Sequence, residues 1–111
     1  MEFALLVCGE EKAWDDMPES ERRERFEANL RYGRELHEAG VVIRYGAKLA
    51  RPDVAAKGER AQDGRPEVGG LWILELDSEE AALEWAARMP VSPGNVVDVR
   101  RCDRPGATRS D

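Results

Sequence analysis

Four polar groups able to take part in catalysis or ligand binding fall close together in the sequence: Asn29, Tyr32, His37 and Arg44. His37 is the one histidine of the chain, and an imidazole is the side chain best suited to take and return a proton near neutral pH. Measured from Phe26 at about 100° per residue, Leu36, Asn29, Gly33, His37 and Leu30 share a helical stripe roughly 120° wide. That stripe is the face expected to be buried. In a core His37 would bond a backbone carbonyl; in a pocket between helix and sheet it would act as general acid or base, with Tyr32 or Arg44 holding an oxyanion. Gly33 on the packing face either lets a sheet come close or leaves room for a ligand. Asn29, Tyr45, Asp63, Arg65 and Trp72 complete the candidate substrate-binding set. Trp72 also fits a core or interface position, and Arg44 an ion pair across a subunit boundary. The run from Glu19 to Glu27 reads as a wet helical face with pairs such as Glu21 and Arg25.

Other chemistries find less support. Cys8 closes the first expected strand and Cys102 follows the last, so in an antiparallel sheet the thiols sit at opposite ends, beyond disulfide reach. Both are expected to be reduced, Cys8 as a small apolar strand residue and not a nucleophile. No Cys or His pair has metal-site spacing, and no metal or organic cofactor is expected. With 17 Lys+Arg against 23 Asp+Glu, a net charge of −6 and no basic block, the sequence makes a poor nucleic-acid ligand. No apolar run approaches the roughly 20 residues of a membrane span, and no basic segment precedes the first strand. A cytoplasmic location is the expectation.

The elements that must position these groups follow from patterning. A strand is expected at 2–8, then a polar loop from Gly9 to Met17, then a helix opened by Pro18, Glu19 and Glu21 and running to Ala39 with Gly40 as its cap. Val41 to Leu49 alternates as an edge strand with Ile43, Tyr45 and Ala47 inward. Residues 50–70 read as a long loop carrying an Asp63-Gly64 turn. The third strand spans Leu71 to Leu76. Asp77 and Glu80 then cap a second helix ending at Met89 before Pro90, with Ala82, Ala86 and Met89 on its apolar stripe. A last strand covers 96–101, Val97 and Val99 inward, and 102–111 form a polar tail expected to be disordered.

The order βαββαβ predicts an α+β, ferredoxin-like fold: a four-stranded antiparallel sheet with two helices on one face and strands one and three central. Phe3 to Cys8 and Leu71 to Leu76 are apolar on both faces. Two helices can shield one face only, and an exposed apolar sheet would be unusual in a monomer. A homodimer packed sheet to sheet, a dimeric α+β barrel, is expected.

Four segments together resemble the YCII-related family, in particular its DGPF branch. They are Leu5-Leu6-Val7-Cys8-Gly9-Glu10 with Trp14 following, Leu36-His37-Glu38-Ala39-Gly40, Gly69-Gly70-Leu71-Trp72-Ile73-Leu74-Glu75-Leu76 leading into Ala81-Ala82-Leu83-Glu84-Trp85-Ala86, and Val97-Asp98-Val99-Arg100. The resemblance covers residues 1–101 and implies the dimeric ferredoxin-like fold as one domain. The stretch that names the branch is missing, since the loop reads Asp63-Gly64-Arg65-Pro66-Glu67-Val68-Gly69-Gly70. Members of the wider family thought to do chemistry carry a histidine eleven residues before the glycine that ends the first helix; Asn29 stands there in this chain.

Two functions are compatible with these residues. One is a cofactor-independent acid/base enzyme of isomerase, lyase or cyclase type, acting on a small aromatic or polyketide-like molecule with His37 as proton shuttle. The other is a non-catalytic small-molecule-binding or accessory dimer. They differ in whether Asn29 and His37 line one cavity.

Overall fold

Alternation of apolar side chains carries the sheet. The structure, a computed structural model, describes residues 1–9, 11–50 and 67–103. Strand β1 (Glu2–Gly9) lies between β3 (Glu67–Glu75) and β4 (Val96–Arg101), and β2 (Val42–Lys48) pairs with the outer side of β3. All three pairings are antiparallel, giving the order β2-β3-β1-β4. The two doubly apolar strands are therefore central, as their patterning predicts. Helices α2 (Glu19–Glu38) and α3 (Glu79–Arg88) cover the same face, because Tyr32 and Leu36 of α2 and Ala82 and Ala86 of α3 share one core with Phe3, Leu5 and Leu74.

Local chemistry sets the helix ends. Pro18 precedes α2, and Glu19 and Glu21 occupy its first turn, where the helix dipole favours carboxylates. At the other end Gly40 adopts φ +80°, the left-handed conformation that a helix terminus assigns to glycine. The cap of α3 is Ser78, not Asp77: its backbone is extended and its Oγ accepts from Ala81 N–H at 3.1 Å. Moving the cap by one residue puts Glu80 in the second helical position, so it cannot close a capping box. Ala82, Ala86 and Met89 are buried as expected, since small side chains let α3 lie close to the sheet.

Three other expectations change. The loop after β1 contains a short helix, α1 (Glu11–Asp15). Its Trp14 packs edge-on against Phe26 with ring centroids 5.4 Å apart, which gives this polar segment one apolar anchor. Strand β3 starts at Glu67, before the expected Leu71, because Leu49 N–H and Lys48 find partners at Gly69 and Gly70. In β2 the register shifts between Ile43 and Tyr45. Such a bulge reverses the faces beyond it. Ile43 packs on the core, whereas Tyr45 is 58% exposed on the open side.

The open side of the sheet is apolar through its middle. Register aligns Ala47, Leu71 and Leu6 in one row and Tyr45, Ile73 and Ala4 in the next, with Asp98 and Arg100 closing the rows on β4. At one end Arg44 pairs with Glu2 at 3.5 Å and Glu75 at 3.3 Å. The N-terminal ammonium, 3.1 Å from Glu75, and then Arg44 hold the Glu75 carboxyl below the usual carboxylate range. Cys8 and Cys102 are both free thiols. Asp63, Arg65, the Asp63-Gly64 turn and residues 104–111 lie outside the described residues. Among the described residues no helix is long and apolar enough to cross a membrane.

Candidate functional site

Helix α2 meets the sheet along a different face from the one its apolar residues suggest. Tyr32 and Leu36 are buried, but Phe26 is 50% and Leu30 63% exposed, and His37 is exposed as well. The buried face is rotated by roughly 60° from the predicted stripe, through Arg25, Asn29, Tyr32 and Leu36. Phe26 and Leu30 instead look onto a cavity of about 680 Å³.

That cavity is walled by α1, α2, the Gly69–Trp72 part of β3 and the 90–95 turn before β4. Its apolar surface includes Trp14, Met17, Phe26, Leu30, Val91 and Trp72. The polar groups reaching it are Arg25, Asn29, Lys48, Ser92 and Asn95. Lys48 Nζ stands 5.2 Å from the Trp14 ring centroid, a cation–π contact joining β2 to α1. Asn29 Nδ2 donates to the Arg25 carbonyl at 2.9 Å, which fixes its amide against the helix wall. Gly9 admits the Asn95 amide, since a Cβ there would overlap its Oδ1.

Trp72 owes its place to two glycines. A Cβ on Gly46 would stand 3.0 Å from its ring and one on Gly33 3.3 Å from its far edge, so the indole lies between β2 and α2 with no side chain interposed. Gly46→Ala is expected to displace the ring and cost about 1–3 kcal/mol, as overpacking does. Gly33→Ala offsets its crowding with about 1 kcal/mol of helix propensity and should be nearly neutral. Thermal melts of the two variants check the contrast.

A model of the YCII-related domain matches residues 1–102, almost the whole chain. The chain belongs to the YCII-related domain family. No curated protein matches it.

Within this YCII-related fold the predicted site residues separate. Asn29 and Trp72 line the large cavity together. His37 does not. It is exposed beside a second, more open depression of about 400 Å³ formed with Gly40, Val41, Val42 and Ile43, where it is the one polar side chain among the described residues. Tyr32 is buried against α3, its hydroxyl donating to the Trp85 carbonyl at 2.6 Å and its ring edge-on to Trp72 and Trp85. Burial pushes its phenol well above the usual range, and nearby Arg88 and Glu35 act in opposite directions. Trp85 lies in the last turn of α3, where carbonyls lack helical partners, so Tyr32 satisfies a group that would otherwise be orphaned. Tyr32→Phe should cost about 1–2 kcal/mol of stability while leaving ligand binding unchanged, a combination that denaturation and titration would read separately.

Arg44 and Tyr45 belong to the open sheet face, Arg44 in its ion pairs with Glu2 and Glu75. Cys8 also faces that side, with Sγ 3.7 Å from Asp98 Oδ2. Burial, reinforced by Asp98, pushes its thiol up, which disfavours the nucleophilic thiolate. Arg25, Lys48, Ser92 and Asn95 are polar cavity groups outside the set that the sequence singles out. Arg25 was expected to pair with Glu21 on a wet face; instead it turns to the cavity, and the i,i+4 pair of this segment is Glu19 with Arg23 at 3.5 Å. Its one sequence signal is the shared helical face with Asn29 and Tyr32, four and seven residues on.

Proposed function

We propose that this YCII-related chain is a small-molecule-binding protein without acid/base turnover, working in the cytoplasm as a homodimer packed sheet to sheet. The observation that carries the reading is the dispersal of His37, Tyr32 and Arg44. None of the three lines the large cavity, and neither Tyr32 nor Arg44 lines the depression beside His37. A proton shuttle needs a group near it to hold the substrate or its developing charge. His37 has no such side chain beside it among the residues forming its depression, and Asn29, which does reach the large cavity, cannot serve as a general base. What the cavity offers is shape and apolar surface, within the size range usual for small ligands.

The dimer rests on the open sheet face, where Tyr45, Ile73, Leu71 and Leu6 form adjacent apolar rows. Monomers rarely leave such a surface in water.

Binding can be followed through the indole N–H resonances while a panel of small aromatic compounds, 1-naphthamide included, is titrated in. The expected result is that Trp14 and Trp72 shift, Trp85 does not, and every compound is recovered unchanged. An absence of binding across the panel would sink the cavity reading. Turnover abolished by His37→Gln would restore the enzyme.

A further inference from the structure

The cavity carries an electrostatic signature that its apolar walls alone would not predict. Arg25 Nε is buried and donates to no acceptor among the described residues. A buried charged donor left without a partner is costly. Its acceptor has to come from outside the described residues, as water or as a polar group of a ligand entering the cavity. Arg25 has no ion pair among the described residues, and the neighbouring acid–base pair on the helix joins Glu19 to Arg23. Its carbonyl, in contrast, is occupied by the Asn29 amide.

We infer that the cavity selects a small aromatic carboxylate, with the carboxylate on Arg25 and the flat ring system against Trp72 and Phe26. This deepens the binding function proposed above and rests on it. Charge favours an anion: among the described residues lining the cavity, Arg25 and Lys48 are cationic and none is an Asp or Glu, although the whole chain carries −6. Geometry favours a carboxylate, because a guanidinium presents parallel N–H donors that match its two oxygens. The ring preference comes from the walls. Trp14 and Phe26 meet edge to face at 85°, and Trp72 is held against backbone on its Gly46 side, so the surfaces left to the ligand are aromatic faces and edges that suit a planar body.

The test compares 1-naphthoate with 1-naphthamide, alike in shape and different in charge, by calorimetry on the full chain. The carboxylate should bind about tenfold more tightly than the amide, and its affinity should fall with added sodium chloride while that of the amide does not. Arg25→Met should bring the two affinities within about twofold, whereas Arg23→Met, on the exposed face, should keep the difference. Equal affinities in the unaltered protein, or a preference that survives Arg25→Met, would overturn the inference and leave the cavity as a binding site for neutral aromatics. Failure of both compounds to bind would remove the binding function itself. If Arg25→Met does not fold, the paired affinities and their salt dependence in the unaltered protein decide the matter alone.

Discussion

Leu5→Ala is expected to lower stability by about 3 kcal/mol, within the range for truncating a buried leucine. Leu5 is fully buried in the central strand, opposite Trp72 on β3 and Val99 on β4, and shares its core with residues of both long helices. The void left by the isobutyl group would be bounded by a hydrogen-bonded sheet and by the Tyr32 and Leu36 side chains, none of which can collapse into it without breaking other contacts. At roughly 4–8 °C per kcal/mol for a domain of this size, the melting temperature should fall by more than about 12 °C. Leu83→Ala, on the exposed side of α3, should change it by less than about 0.5 kcal/mol. A calorimetric scan of both variants separates them; a small effect at Leu5 would mean that the core is centred elsewhere.

Leu6→Glu is the second large expected effect, and it acts on assembly instead of the core. Leu6 stands between Leu71 and Asp98 in the middle of the open face. In the proposed dimer a carboxylate there would be buried against the partner sheet beside Asp98, at a cost of several kcal/mol. The mass by light scattering at micromolar concentration should change from dimer to monomer, with the helix content of the chain retained. A dimer of unchanged mass would place the interface on another surface, and a monomeric unaltered protein would remove the sheet-to-sheet arrangement altogether.

Strand order and the two central strands could be read from the sequence because a strand buried on both faces is apolar at every position, a pattern that tolerates small errors of boundary. The face of α2 could not. Helical stripes are found by assuming that apolar residues point to a core, and in α2 Phe26 and Leu30 point to a cavity that Arg25 and Asn29 also line. A cavity wall inverts the assumption, and the stripe turns toward His37 as a result. Tyr45 was misplaced for a related reason: a bulge at Arg44 moves every later residue of β2 to the other face, and nothing in Ile43-Arg44-Tyr45 announces it. Arg25 was hidden by its company, since a run with so many charges looks uniformly solvated until the helix is docked.

The binding function proposed above puts ligand recognition in the cavity of Arg25, Asn29 and Trp72, with His37 outside it. One spectrum series tests this directly: the His37 imidazole and the Asn29 and Asn95 side-chain amides observed together by NMR as 1-naphthoate is added. Both amides should move with a common saturation curve while the imidazole resonances stay in place at every concentration. Movement of the imidazole with the amides unchanged would put the ligand in the depression beside His37 and overturn the proposed binding site.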